Sequence, residues 1–351
     1  MQRKNFPLLK PLFLERMQKL LSEKSDFQSY LDILKIPPVR SIRCNTLKLT
    51  PQDLKTRLEN KTWKIKQPWK NHPEIMVVEG KIIDQNQIDK ETINRKRRDN
   101  KNVVIGNVEN LQPGELGKAL EHLLGYYYIQ ELASMLPIIT LNSESGGFIL
   151  DLCSAPGSKT TQAAAEIKNT RTIIANEVSL GRIKILASNL ERCGVTNTII
   201  TKKEGTALCK RLKKQNFQFD TILVDAPCSG EGTLRSSPKT YLMWNIKTIK
   251  NLPKIQKNLV TSALEILKPN GTLIYSTCTH APEENEGVIN EILKENKNLK
   301  LEKIKLPIKP RPGITNWEDK KYSKEITKCA RIYPQDNNTE GFFIAKLKKT
   351  K

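Results

Sequence analysis

From about residue 147 the chain falls into a rhythm that leaves few folds open, because short apolar runs alternate with stretches of helical spacing. The runs are "GFILDL" (147–152), "RTIIANE" (171–177), "NTIIT" (197–201), "FDTILVD" (219–225) and "GTLIYST" (271–277). Between them lie "GSKTTQAAAEI", "LGRIKILASNLERCG" and "TIKNLPKIQKNLVTSALEIL", whose apolar residues recur with the period of a helix. Strands separated by whole helices cannot pair as hairpins, so the units are βαβ and the sheet is parallel, with ligands expected beyond the carboxyl ends of its strands.

At 351 residues there is room for a further, smaller unit. Residues 1–40 carry helical spacing (Phe13, Met17, Leu20, Leu21, then Tyr30, Leu31, Leu34) and stop at a Pro-Pro pair. "SIRCNTLKLT" reads as a short alternating strand, and "PQDLKTRLENKTW" as a helix entered through Pro51. The polar stretch "DQNQIDKETINRKRRDNKN" reads as a long loop or a hairpin with a mobile tip. "GELGKALEHLLGYYYIQELASMLPIITL" is helical in pattern and bridges into the larger unit. Two domains are expected, a small α+β module over 1–112 and the α/β domain over 113–351.

No uncharged apolar stretch reaches the ~18 residues of a membrane span, and the N-terminal "FPLLKPLFLERM" is interrupted by Pro, Lys and Glu, so a soluble, cytosolic protein is expected. The seven cysteines form no CxxC pair and the three histidines lie far apart, which leaves no zinc spacing and no disulfide framework. Cys44, Cys193, Cys209 and Cys329 read as small core residues. The net charge of +22 suits a polyanionic partner, but its excess is even, with 24 Lys/Arg against 14 Asp/Glu over residues 1–120 and 35 against 23 beyond. Coding bias toward lysine explains such a spread as well as nucleic-acid binding does, and "RKRR" (Arg95–Arg98) reads as a solvated loop.

The strand ends hold the chemistry. "DLCSAPGSKTTQ" runs from a strand through a tight turn into a helix whose free N–H groups can meet a ligand. With only Gly157 present it is neither the phosphate loop GxxxxGKS/T nor the dinucleotide GxGxxG. The second strand ends at Glu177, placed to accept ribose hydroxyls; Glu204 follows the third and Asp225 ends the fourth. Acids on successive strand ends without a phosphate loop favour a nucleoside ligand that lacks phosphates, S-adenosylmethionine. Two thiols stand at further strand ends, Cys228 in "DAPCSG" and Cys278 in "STCTHA", and Cys153 at another.

Together, "DLCSAPGSKT", "NEVSLGRIKILASNLERCGV", "DTILVDAPCSGEGTLR" and "LKPNGTLIYSTCTHAPEENE" resemble the successive motifs of the Sun (nucleolar proliferation antigen) family of RNA cytosine-5 methyltransferases. "RCNTLK", "EHLLGYYYIQELASMLP" and "RIYPQDNNTEGFFIAKL" fit the same family, so the resemblance spans nearly the whole chain. Where the family often has Gly-Gly-Lys, this chain has Gly157-Ser158-Lys159, a change that keeps the turn short and polar. The resemblance implies a Rossmann-like, S-adenosylmethionine-dependent methyltransferase fold with a mostly parallel seven-stranded sheet and an N-terminal RNA-binding module. It implies cofactor contacts from Cys153, Ser154, Ala155, Pro156, Gly157, Ser158, Lys159, Glu177, Arg182, Glu204 and Asp225.

It implies also that Cys278 is the nucleophile and Cys228 the thiol needed for product release. The chemistry asks for such groups, because C5 of cytosine becomes nucleophilic only after a thiolate adds to C6. Asp225 is the acid expected at N3, with burial supplying the raised pKa such an acid needs, and Lys159 could orient it or a nucleotide oxygen. The partner expected is structured RNA with the target base flipped out, tRNA ahead of rRNA, on a monomeric, metal-free enzyme. Two rivals stand beside this reading. A DNA cytosine-5 methyltransferase would attack with the Pro-Cys thiol and has no use for "STCT"; a non-catalytic RNA-binding protein would not need Asp225, Cys228 and Cys278 together.

Overall fold

The computed structural model describes residues 8–83, 108–141 and 147–350, so the polar stretch from 84 and the basic run Arg95–Arg98 lie outside the described residues. Among those residues no helix is long and apolar enough to cross a membrane.

The N-terminal part begins with two helices, α1 (Pro11–Leu20) and α2 (Lys24–Leu34), followed by strand β1 (Ser41–Cys44) and helix α3 (Pro51–Glu59). Thr50 caps α3, its side chain accepting from the amide of Asp53, and Pro51 occupies the first turn, as the sequence leads one to expect. Strands β2 (Trp63–Lys66), β3 (Ile75–Ile82), β4 (Val108–Glu109) and β5 (Tyr127–Ile129) complete a five-stranded sheet in which β1 lies between β3 and β5, all antiparallel. All four residues of β1 are buried, so this strand does not show the alternation its sequence suggests: both of its faces are covered.

"IMVVEGKI", for which no element is read above, is a strand, and the "GELGKALEHLLGYYYIQELASMLP" segment, expected to be helical, is not continuously so. It breaks into two single-turn helices at Glu115–Lys118 and Leu120–Leu123, then β5, then α4 (Leu132–Ile139). Gly125 forces the break, with φ at +70° and the carbonyl of Arg192 only 1.8 Å from where a Cβ would stand.

The large sheet follows the expected rhythm. β6 (Ile149–Asp151), α5 (Ser158–Glu166), β7 (Ile173–Asn176), α6 (Leu180–Cys193), β8 (Thr198–Thr201), α7 (Gly205–Lys214), β9 (Phe219–Asp225), α8 (Ile246–Glu265) and β10 (Leu267–Thr277) supply five parallel strands ordered β10-β9-β6-β7-β8. After α9 (Glu286–Glu295) come β11 (Leu299–Glu302), β12 (Arg311–Pro312), β13 (Ala330–Ile332) and β14 (Phe342–Lys349). These four extend the sheet antiparallel from β10, making nine strands where seven are expected, two of the additions being only two and three residues long.

Period-two alternation divides the core. Leu150, Val224 and Tyr275 face one apolar layer with Val260 and Ile289, while Ile149, Leu223 and Ile274 face the other with Ala163 and Leu136. Each such side chain contributes roughly 1.5–3 kcal/mol of burial.

The two sides of the boundary expected at residue 112 pack against each other. Phe13, Met17, Leu21, Tyr30 and Leu34 of the first two helices form one apolar cluster with Leu234, Tyr241, Trp244, Ile249, Ala281 and Tyr333 of the catalytic part. Arg16 donates to both carboxylate oxygens of Glu283, and Arg311 reaches Asp26 across the same seam. The small sheet in turn draws its fifth strand from residues 127–129. Both crossings bury apolar surface that neither part covers alone.

Candidate active site

The order of the parallel strands reverses between β6 and β9, and the functional side chains gather at the carboxyl ends beside that switch point. β6 ends at Asp151, and the turn 152–157 carries the chain into α5, with Gly157 at φ +103° as the residue before its first turn. The amide and hydroxyl of Ser154 both donate to the carbonyl of Asn176, each at 2.9 Å, and pin the turn to the end of β7. Asp151 is buried; Thr160 donates to its Oδ2 at 2.6 Å, and among the described residues its Oδ1 has no hydrogen-bond partner. Burial pushes this carboxyl up to about 7 against the opposing Thr160 bond.

At the end of β7, Glu177 is 3% exposed and accepts from the amide of Ser179 at 2.9 Å and from Arg182 at 3.0 Å. Arg182 also donates to the carbonyl of Ala155, so the two candidates on successive units are tied to each other and to the turn. The Pro156 carbonyl accepts from Asn189 at 2.9 Å and that of Ser158 from Arg43 at 2.9 Å. Cys153 packs against the core, and burial pushes its thiol up. Glu204 is exposed, and its carboxylate caps α7, accepting from the amides of Thr206 and Ala207 at 3.0 and 2.8 Å. An acid directly before a helix is drawn to the open amides of the first turn.

Asp225 and Ser276 are register partners on the adjacent parallel strands β9 and β10, and the Ser276 hydroxyl donates to Asp225 Oδ1 at 2.7 Å. Lys159, buried at the start of α5, donates to Asp225 Oδ2 at 2.7 Å and to Ser134 Oγ at 3.2 Å. Asp225 is thus held in an ion pair with Lys159, with 29% of its side chain open. One residue beyond the end of β10 and three beyond the end of β9, the thiols meet: Cys278 Sγ and Cys228 Sγ are 3.3 Å apart. The Cys228 thiol is raised well above its ordinary range, first by its hydrogen bond to Cys278 and then by burial.

A family model described as 16S rRNA methyltransferase RsmB/F matches residues 138–348. Over 348 residues, 99% of the chain and 98% of the relative, the sequence is 36% identical to the tRNA (cytosine(49)-C(5))-methyltransferase of Pyrococcus abyssi. This chain belongs to the RsmB/F family of RNA cytosine-5 methyltransferases. Its methyl donor is S-adenosylmethionine. A second RsmB/F-family relative, the ribosomal RNA small subunit methyltransferase F of Erwinia tasmaniensis, is 34% identical over 97% of the chain, which spans 63% of that protein. Among solved structures, a methyltransferase homologue from Pyrococcus horikoshii superposes with a TM-score of 0.72 at 31% identity, covering 97% of this chain and all of that one. NSun6 from the same organism, solved with SFG, gives 0.76 at 25% identity, covering 97% and 98%.

Several residues of this RsmB/F-family site escape sequence reasoning. Ser229 and Thr279, each following one of the cysteines, are bonded hydroxyl to hydroxyl at 2.7 Å. Glu231 accepts from Thr279 at 3.2 Å and from Trp244 Nε1 at 2.8 Å beneath them. Glu284 and Gln256 brace the Pro-Cys loop, far from it in sequence. Only the carboxylate-rich "PEENE" hinted at one of them. Arg43 and Asn45 of "RCNTLK" are ties between parts: Arg43 reaches Gln130, Thr161 and the Ser158 carbonyl, and Asn45 the carbonyls of Gly125 and Cys193.

Proposed function

We propose that this enzyme methylates C5 of a cytosine in tRNA, with Cys278 as the nucleophile and Cys228 as the thiol that serves product release. The observation that carries the reading is the thiol pair, 3.3 Å apart beyond adjacent parallel strands and next to the Asp225–Lys159 ion pair. The Cys278 thiolate adds to C6, a C6–S bond forms, and the displaced electron pair moves through C5 and C4 to N3, which takes a proton. Asp225 is fixed by Ser276 and Lys159, and the proton N3 takes is one of the Lys159 ammonium, relayed through the Asp225 carboxylate. When bound, S-adenosylmethionine supplies the methyl group, an electrophilic carbon that C5 takes as its bond to the sulfonium sulfur breaks. Loss of the C5 proton to solvent then restores the C5–C6 double bond, breaks C6–S, and returns the N3 proton to the carboxylate. Cys228, whose raised thiol stays protonated, donates its hydrogen bond to the departing Cys278 sulfur.

The residues at the switch point suit S-adenosylmethionine. Glu177 has acceptor capacity beyond its two present partners for ribose hydroxyls, and the open, buried Oδ1 of Asp151 suits a cationic amino group. The turn from Cys153 to Lys159 lies between them.

The choice of tRNA is supported by the match over 98% of the Pyrococcus abyssi tRNA enzyme, against 63% of the rRNA relative. RNA affinity is assigned to the small sheet with α3, where Lys48, Arg57 and Tyr126 line a cleft of about 480 Å³. The test is methylation of tRNA and 16S rRNA transcripts by purified protein, read by bisulfite sequencing. Protection of a tRNA cytosine is the expected result; protection confined to rRNA would replace the substrate, and none in either would overturn the reading.

A further inference from the structure

Cys228 sits between two peptide units, and each is bonded to one member of a buried pair. The Pro227 carbonyl before it accepts from Gln256 Nε2 at 2.9 Å, and the Ser229 amide after it donates to Glu284 Oε2 at 3.0 Å. The pair closes on itself, Gln256 Nε2 donating to Glu284 Oε2 at 2.8 Å. Gln256 comes from the middle of α8, and Glu284 stands six residues after Cys278, its own carbonyl held by the Tyr275 hydroxyl at 2.6 Å. Both side chains are completely buried.

As a stabilising device the pair is poor. Among the described residues Gln256 Oε1 and Glu284 Oε1 are both buried without hydrogen-bond partners, and removing polar groups from water without replacing those bonds costs stability. Its effect is positional, since the two side chains between them hold both peptide units that flank Cys228. Cys278 is held differently, directly after the last residue of β10 and with the Gly232 amide on its carbonyl at 2.9 Å, contacts that use neither side chain of the pair.

We infer that Glu284 and Gln256 are positioning residues for the release half of the reaction, clamping Cys228 against the sulfur of Cys278. The inference rests on the cysteine roles proposed above. Loosening the clamp lets attack and methyl transfer proceed but withdraws the hydrogen bond from the leaving sulfur, so the covalent RNA–protein species persists.

The experiment uses the full chain, labelled tRNA and S-adenosylmethionine, with first-turnover methyl transfer and denaturation-resistant adduct measured on the same samples. Gln256→Met keeps side-chain volume and removes the donor; Glu284→Ala removes the acceptor; Glu284→Gln keeps an acceptor for Ser229. The first two should hold about tenfold more adduct than the parent at near-parental first-turnover transfer and S-adenosylhomocysteine binding, whereas Glu284→Gln should stay close to the parent. A purely structural role would lower transfer and adduct together, and that outcome overturns the inference. Adduct from a parallel Cys228→Ala sample but from neither Gln256→Met nor Glu284→Ala overturns the clamp alone. No adduct even from Cys228→Ala overturns the cysteine roles and the clamp with them.

Discussion

The hydroxyls of Ser229 and Thr279 lie 2.7 Å apart, one residue beyond each of the paired thiols. Two loops that leave different strands are thereby stapled next to the sulfur atoms they carry, and the thiol contact need not depend on side-chain rotamers alone. A neutral hydrogen bond of this kind contributes about 0.5–1.5 kcal/mol, so Ser229→Ala should lower kcat about 3–10-fold with little change in KM for RNA. Steady-state methylation kinetics check it, and an unchanged kcat would show that the staple is dispensable.

Glu177→Ala should weaken S-adenosylhomocysteine binding roughly tenfold or more, since charge-assisted hydrogen bonds contribute about 1.5–3 kcal/mol. Its ties to Ser179 and Arg182 pre-set the carboxylate, so Arg182→Ala should weaken binding as well, by less. Isothermal titration decides both, and equal affinity for all three proteins would remove the second strand end from the cofactor site.

How much of this was legible in the sequence depends on how local the signal is. The five parallel strands and the residues at their tips follow from periodicity within single segments, and Lys159 reads from the sequence as a residue that orients Asp225 or a nucleotide oxygen; in the structure it pairs with Asp225. β3 was lost because "IMVVEGKI" borders a long polar stretch, and β5 because "YYYI" lies between residues of helical spacing. The docking of α1 and α2 on Trp244 and Tyr333, and the approach of Gln256 to Pro227, join residues far apart in the chain. No window of sequence contains both partners, so tertiary packing decides them.

Removing residues 1–36 should therefore disable more than RNA binding. It strips the cover from Leu234, Tyr241 and Trp244, just beyond the Pro-Cys loop, and loses the Arg16–Glu283 and Asp26–Arg311 pairs. Leaving several large apolar side chains uncovered costs about 1.5–3 kcal/mol each, so the truncated chain should melt well below the full one and bind S-adenosylhomocysteine weakly. An unchanged Tm with intact cofactor binding would show that the hairpin is a separable appendage.

Glu340 is 3% exposed, and burial, with Glu131 nearby, pushes its carboxyl up to about 7. The folded state then binds more protons than the unfolded one between the ordinary carboxylate range and about pH 7, so this group's contribution to stability falls as pH rises through that interval and levels off above it. Glu340→Gln, which mimics the protonated side chain, should raise Tm by about 2–4 °C at pH 8 and by less at pH 5.5. Scanning calorimetry at the two pH values tests the sign; a gain larger at pH 5.5 would contradict it.

The division of labour between the two thiols is tested most directly by a denaturing gel of Cys278→Ala and Cys228→Ala, each incubated with labelled tRNA and S-adenosylmethionine. Cys278→Ala should bind RNA but form neither product nor adduct. Cys228→Ala should transfer the methyl group and then stall, giving a shifted band that resists denaturation. The reverse pattern, with adduct from Cys278→Ala and none from Cys228→Ala, would make the Pro-Cys thiol the nucleophile and contradict the account.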